Sequence, residues 1–86
     1  MVLGEIHQGW ADLLFVVSGE ATHVVGGELV NGKPVSPGEV RGPAIHSGTK
    51  RLMREGDVVQ VPAGMPHQFL VTKGRQITFF TMKIAK

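Results

Sequence analysis

A histidine, His67, ends a run of residues whose types and spacing give it a defined position. Gly56 favours a turn, because glycine adopts positive φ at no steric cost, and residues 58–61 have the composition of a strand. Pro62 ends that strand because it has no N–H to donate, and Gly64 permits a sharp reversal. His67 therefore enters the next strand at its first pairing position, where its side chain can point into the interior. An imidazole in such a position suits metal ligation or proton transfer.

The elements that must position this histidine are short β-strands. Val, Ile and Thr are abundant, and 12 Gly and 5 Pro interrupt the chain every few residues. No apolar stripe at helical spacing is longer than two turns. The pattern predicts an all-β fold with strands over residues 13–17, 21–25, 28–30, 44–46, 51–53, 58–61, 68–72 and 76–84.

Two tight turns and one long loop are expected to connect these strands. Ser18-Gly19 and Lys73-Gly74 each predict an antiparallel hairpin between the strands that flank them. Many short strands at this spacing are typical of a sandwich or barrel. Residues 26–50 are rich in Gly and Pro, and only the ends of this segment are strand-like. We expect it to be a functional loop that packs over one sheet or across a barrel mouth.

Composition restricts the class of protein. The chain has 86 residues and no Cys, which predicts a single domain over residues 1–86 without disulfides, thiolate metal sites or cysteine nucleophiles. A domain this small is expected to gain stability from a metal or from oligomerisation. The net charge is +2, and the basic residues are scattered without interleaved aromatics, so no nucleic-acid partner is expected. No leader and no apolar run of spanning length is seen, so we expect a cytoplasmic protein without a membrane partner.

Residues 56–67 resemble the second conserved motif of the cupin superfamily, G-x5-P-x-G-x2-H-x3-N. Gly56, Pro62, Gly64 and His67 match, and Val71 stands where the motif has Asn. The first cupin motif, G-x5-H-x-H-x3,4-E-x6-G, is matched less closely, on the positions Glu5, His7, Asp12 and Gly19. The sequence of residues 26–42 also resembles the corresponding sequence of a subgroup of small bacterial single-domain cupins. The resemblance implies a cupin-type double-stranded β-helix, a jelly-roll barrel of short antiparallel strands.

The resemblance also implies a metal site. In cupins the residues at these motif positions typically hold one divalent metal inside the barrel, which here implicates His7, Asp12 and His67, with Glu5 as a fourth ligand at the position of the first motif histidine. Two imidazoles and one carboxylate can bind one face of Fe(II), Mn(II), Ni(II) or Zn(II) and leave positions for water or substrate. Extended backbone over residues 5–7 would put Glu5 and His7 on one face. The alternative is a site that is vestigial or binds organic ligands only.

Four further residues are candidates for lining the pocket: Trp10, His46, Gln60 and Phe69. Trp10 lies between two of the implied ligands, although an apolar anchor or an interface residue is the alternative. His46 lies near the end of the Gly-rich segment, which could fold over the pocket. Gln60 and His46 are also conceivable polar partners for a reaction. His23 is interpreted as a surface or packed residue of a strand.

Two classes of function follow from these residues. The first is a metal-dependent enzyme, an oxygenase, isomerase or decarboxylase acting on a small organic acid, sugar or aromatic-type substrate. The second is a non-catalytic cupin that binds a small ligand with or without metal. Cupins usually have strands before the first motif, and almost nothing precedes Glu5 here, so we expect a minimal fold lacking N-terminal strands and exposing a sheet edge. With both faces of residues 13–17 apolar, this predicts a homodimer.

Overall fold

The computed structural model of the chain describes residues 3–72 and 74–85, and these form an all-β structure. Every pairing between its strands is antiparallel. Within these residues no helix is long and apolar enough to cross a membrane. The ten strands are β1 (Gly4–His7), β2 (Trp10–Val25), β3 (Glu28–Val30), β4 (Lys33–Ser36), β5 (Glu39–Gly42), β6 (Ala44–His46), β7 (Thr49–Arg54), β8 (Val58–Val61), β9 (His67–Leu70) and β10 (Ile77–Ala85).

The long strand β2 is shared by two layers of pairing. Its first half pairs with β10 on one side and β8 on the other, and its second half pairs with β7 and β9. The hairpin predicted at Ser18-Gly19 is therefore wrong, because the chain continues through these residues as one strand. Gly19 has a φ of 80°, and a Cβ there would lie 2.1 Å from the carbonyl oxygen of Gln76. The glycine thus allows β2 to change direction without reversing.

The hairpin predicted between the last two strands is also wrong. Strand β9 pairs with β1 and β2, and β10 pairs with the first half of β2. A turn is present, since the N–H of Arg75 donates to the carbonyl of Thr72 at 2.9 Å and Gly74 has a φ of 82°, but the strands on either side of it do not pair with each other. Lys73, which the prediction placed in that turn, lies outside the described residues.

The Gly-rich segment over residues 26–50 contains four strands and the start of β7 instead of a long loop. Its two predicted strands coincide with β3 and β6, which pair with each other. Between them, β4 and β5 form an antiparallel pair, and β5 continues the sheet by pairing with β1. Asn31, at a φ of 51°, and Gly38, at 77°, make the reversals that this compact arrangement needs.

The core lies between the two layers and is built from alternate residues of β2. Leu14 and Val16 are buried, and so is Asp12 at the end of the same row. Ala21, Met53, Val61 and Phe69 complete the buried apolar cluster. The arrangement is compatible with a β-sandwich, and the strands of the described ranges do not close into a barrel. A buried carboxylate therefore stands directly beside the apolar core.

Candidate functional site

Three strands bring the implied ligands to one place. His7 lies at the end of β1, Asp12 near the start of β2, and His67 at the first residue of β9. The register of β1 sets Glu5 opposite His67. His7 is thus held within a paired strand. Asp12 follows it after the short connection at residues 8–9, so this connection sets the position of one side chain relative to the other.

The turn predicted from residues 62–66 is present, and it is hydrogen-bonded to the strand that carries His7. Gly64 has a φ of 83°, as the reversal requires, and Met65 N–H donates to the carbonyl of Pro62 at 3.2 Å. The N–H of Gly64 donates to the carbonyl of His7 at 2.7 Å. The two sequence segments that resemble cupin motifs therefore touch through their backbones, and the turn fixes His67 relative to His7.

The three ligand atoms lie close together at the inner face of the sheet. Nδ1 of His7 is 2.6 Å from Oδ2 of Asp12, and Nε2 of His67 is 3.4 Å from the same oxygen. The two imidazole nitrogens are 3.4 Å apart. Asp12 and His67 are buried, and the side chain of His7 is 11% exposed. The group His7, Asp12 and His67 could hold a metal ion.

These separations can be compared with the geometry of a bound ion. A tetrahedral ion with bonds of about 2.0–2.1 Å places its ligand atoms about 3.3 Å apart. The two separations of 3.4 Å that involve His67 already have this value. The third, between His7 and Asp12, is a hydrogen bond at 2.6 Å and would have to open by roughly 0.7 Å to reach it. Metal binding would thus replace one proton and need only a small movement.

The second carboxylate oxygen of Asp12 is also consistent with a metal ion held by His7, Asp12 and His67. Oδ1 is buried and has no hydrogen-bond partner within the part of the chain that the structure describes. A buried carboxylate oxygen without a partner is costly in free energy. The carboxylate therefore has an acceptor that neither the core nor the neighbouring strands satisfies, and a cation would satisfy it.

The opposite nitrogen of His7 faces two other carboxylates. Its Nε2 lies 3.0 Å from Oε2 of Glu5 and 3.2 Å from Oε1 of Glu39, which is paired with His7 across β1 and β5. A proton on Nε2 satisfies these acceptors and leaves the Nδ1 lone pair for a metal, an arrangement common around ligating histidines. Glu5, expected as a fourth ligand, thus lies on the other side of the His7 ring from Asp12. Glu5, His7 and Glu39 form a second group that could hold an ion.

Glu39 is the functional residue that sequence reasoning missed. It lies in the Gly-rich segment, and only the pairing of β5 with β1, which no local pattern reveals, brings it to His7. Arg41 Nη2 donates to its Oε1 at 3.1 Å, and Ser36 Oγ donates to its Oε2 at 3.1 Å. Partial desolvation opposes ionisation, but the hydrogen bonds from Arg41, His7 and Ser36 lower the pKa of Glu39 to about 2. Glu39 is therefore a permanent anion beside His7 at neutral pH.

Two other groups of the site have shifted pKa values. Burial raises the pKa of Glu5, although the positive charge of Arg41 opposes the rise. Burial also lowers the pKa of His67, with Asp12 opposing that change and His7 adding to it. A lowered pKa keeps the imidazole of His67 neutral at pH 7, which is the form that binds a metal.

A cavity of about 270 Å³ opens beside the ligand atoms. Its walls combine apolar and charged side chains, since Leu14, Phe69 and Phe79 line it together with Arg41 and Lys83. The predicted pocket residue Phe69 is thus placed at the site, with its ring centroid 4.9 Å from that of Phe79. The volume is about nine times that of a water molecule in the liquid, enough for a small organic molecule.

None of the other predicted pocket residues, all of which the structure describes, lines this cavity, and of these only Trp10 contacts a ligand residue. Trp10 stacks on the ring of His7 at 4.8 Å, behind the ligand atoms, and the ammonium of Lys83 lies 4.5 Å from its ring centroid. Gln60 is exposed on β8, outside the residues that line this cavity. His46 lines a separate cavity of about 730 Å³ formed by β6, β9 and neighbouring residues. The structure therefore groups Trp10 with the site and leaves Gln60 and His46 away from it.

His23 is a buried neighbour of the site. Its side chain is 1% exposed, and its ring centroid is 6.1 Å from that of His67 and 4.7 Å from that of Phe69. Its Nε2 has no hydrogen-bond partner among residues 3–72 and 74–85. Burial lowers the pKa of His23 to about 4, and His67 and Arg51 add to the shift. The interpretation of His23 as a packed strand residue is thus confirmed, and its imidazole is neutral beside His67.

Comparison with protein-family models, with curated proteins and with solved structures found no match for this chain.

Proposed function

We propose that the chain is a small cupin whose His7, Asp12 and His67 bind one divalent metal ion beside a cavity for a small organic molecule. The observation that carries this proposal is the convergence of Nδ1 of His7, Nε2 of His67 and Oδ2 of Asp12 within hydrogen-bonding distance of one another. Three residues from three strands meet there, and two of them are buried charged or titratable groups. Such burial is costly unless a ligand or a function compensates for it.

The fold and the motif turn support the cupin part of the proposal. All strand pairings are antiparallel, most strands are short, and the ligand atoms come from β1, β2 and β9. The hydrogen bond from Gly64 to the carbonyl of His7 joins the segments that resemble the two cupin motifs. In this proposal the double-stranded β-helix is the finer description of the observed β-sandwich-like arrangement.

The donor set indicates the class of ion. Two imidazoles and one carboxylate suit Fe, Mn, Ni or Zn better than Mg or Ca, which prefer all-oxygen sites. A bound ion of this class would supply Lewis-acid activation of a substrate or of water. His67 would supply a neutral imidazole, Asp12 a negative charge that offsets the ion, and Glu39 a fixed acceptor that orients His7. The substrate would lie along Phe69 and Phe79, in the cavity that opens beside the ligands.

A second function, a ligand-binding cupin without a metal, is favoured by the 2.6 Å contact of His7 with Asp12. This hydrogen bond holds a proton where the metal would lie and satisfies both groups without an ion. In that case the cavity would bind an organic ligand alone. The two functions differ in one measurable property, the stoichiometry of bound metal.

Elemental analysis of tag-free protein purified without chelator tests the proposal. We expect about one equivalent of Fe, Mn, Ni or Zn in the wild type and its loss in His67→Ala, because one of three ligands is removed. His46→Ala is the matched control, since His46 lies in the separate cavity and its removal should leave the metal content unchanged.

Failure of the wild type to bind any of these ions, even after incubation with each, would contradict the metal site and favour the ligand-binding cupin. Loss of metal in His46→Ala but not in His67→Ala would contradict the placement. With metal bound, oxygen-uptake, isomerisation and decarboxylation assays on small acids, sugars and aromatic compounds would then test whether the protein is an enzyme.

A further inference from the structure

One face of the sheet formed by β10, β2 and β8 carries no charged side chain. Side chains alternate along a strand, and the inward row of β2 contains Asp12, Leu14 and Val16. The opposite positions of the three strands, here called the outer face, are Ala11, Leu13, Phe15, Val17, Val58, Gln60, Thr78, Phe80, Met82 and Ile84. In a chain with 19% charged residues, a three-stranded surface without any is unexpected for a side that faces water.

The apolar side chains of the outer face form rows across the strands. Phe15 of β2 is paired with Phe80 of β10 on one side and with Val58 of β8 on the other. The next row pairs Leu13 with Met82 and with Gln60. Cross-strand neighbours in such rows touch one another, so the outer face is a continuous apolar surface and not a set of isolated side chains.

The size of the outer face fits the contribution of one subunit to a dimer. Six of its side chains are large and between 41% and 60% exposed: Phe15, Val17, Val58, Phe80, Met82 and Ile84. Together they offer roughly 500 Å² of accessible apolar surface, since about half of each residue is exposed. Two such patches would bury roughly 1,000 Å² between them, about the lower limit for a specific interface, and the smaller side chains of the outer face add to this area.

We propose that the outer face packs against the outer face of a second copy of this chain, around a two-fold axis near Phe15. A second copy fits because a two-fold interface joins the same patch to itself, and an uncharged surface brings no like charges together when it does so. Two β-sheets pack face to face at about 10 Å with their apolar side chains interdigitating. Asp12 lies on the inner face of β2, and His7 and His67 belong to β1 and β9, which contribute nothing to the outer face, so the dimer leaves the candidate site accessible.

Sedimentation velocity from micromolar to hundreds of micromolar protein tests this inference. We expect the wild type to have the mass of two chains over the upper part of this range. Phe80→Glu should raise the dissociation constant at least about a hundredfold, because the two-fold axis buries one unpaired carboxylate from each copy. Val35→Glu is the matched control, since Val35 of β4 is 54% exposed but lies off the outer face, and it should leave the dimer unchanged.

A second variant guards against a folding defect in Phe80→Glu. Val58→Lys introduces the opposite charge on the other edge strand of the outer face, and it should also give a single-chain mass with an unchanged circular dichroism spectrum. A single-chain mass for the wild type at hundreds of micromolar would overturn the inference. A dimer that persists in both folded variants would overturn it as well, because the interface would then lie elsewhere.

Discussion

The two faces of the β10–β2–β8 sheet differ in their charged side chains, since Asp12 and Lys83 lie on the inner face and none lies on the outer face. The inner face buries Asp12 and presents Thr81 and Lys83 to the cavity, whereas the outer face is uncharged and open. Burial of a carboxylate lowers the free energy of unfolding unless it is compensated, and exposure of an apolar surface favours association. Under the two proposals, each face is organised for a contact beyond the single chain, the inner face for a small ligand and the outer face for a second copy.

The largest expected effect is on metal affinity, and it should come from a substitution on the inner face alone. Asp12→Asn should weaken binding of Zn(II) or Co(II) at least about a hundredfold, beyond the 10- to 100-fold typical of changes around the ligands, because it removes a ligand charge. Its sedimentation behaviour should match the wild type. Phe80→Glu should show the reverse, with unchanged metal affinity by calorimetry and an altered mass. If either variant changed both properties, the two faces would not be independent.

Substitutions of two adjacent valines of β2 compare how much each face contributes to the free energy of unfolding. Val16 is 0% exposed on the inner face, and Val17 is 47% exposed on the outer face. Val16→Ala should lower the free energy of unfolding by about 2 kcal/mol, because two methyl groups leave the packed core, and Val17→Ala by less than about 0.5 kcal/mol in dilute protein. Urea titrations at micromolar concentration measure both. Equal losses would show that the outer face is packed in the isolated chain.

The free energy of unfolding should also depend on pH, because His23 of β2 is buried in its neutral form. Its pKa is lowered to about 4 in the folded state, against 6.5 for the ordinary group, so the unfolded chain binds a proton first as the pH falls. The stabilisation from neutral His23 is complete above pH 6.5 and is lost as the pH falls toward 4. Between pH 6.5 and 5 the loss should be on the order of 1–2 kcal/mol.

Urea titrations of the wild type and His23→Gln at pH 5, 6.5 and 7.5 isolate this contribution, because other titrating groups are common to both proteins. The difference in unfolding free energy between the two proteins should shrink or reverse at the lower pH. Parallel curves would contradict a neutral, buried His23.

The smallest expected effect concerns the residue behind the ligands. Glu39→Gln should weaken metal binding about tenfold, because the amide oxygen still accepts from Nε2 of His7 but the charge that orients the ring is lost. Glu5 also faces Nε2 of His7, so the loss of metal affinity should be near the lower end of the 10- to 100-fold range. Glu28→Gln, an exposed position on β3, is the matched control and should bind metal as the wild type does.

Local signals in the sequence were sufficient for the motif turn and for several strands. The predicted strand over residues 58–61 coincides with β8, and the Pro62 and Gly64 turn delivers His67 to the start of β9. These features depend on the φ preferences of Gly and Pro, which act within a few residues. The grouping of His7, Asp12 and His67 was reached through the motif resemblance and not from periodicity.

Features that depend on distant pairing were not predictable in the same way. Ser18-Gly19 has the composition of a hairpin turn, but β10 and β7 pair with the two halves of β2 and extend the strand through Gly19. The same limit hid Glu39, which approaches His7 only because β5 pairs with β1. Local propensity gives way to tertiary pairing at both positions.

The most direct test of the central claim is a crystal structure of the Zn(II)- or Co(II)-loaded protein with an anomalous difference map at the metal edge. The account predicts one peak about 2.0–2.2 Å from Nδ1 of His7, Nε2 of His67 and a carboxylate oxygen of Asp12. A peak bound to Nε2 of His7 between Glu5 and Glu39, or no peak at either group, would contradict it.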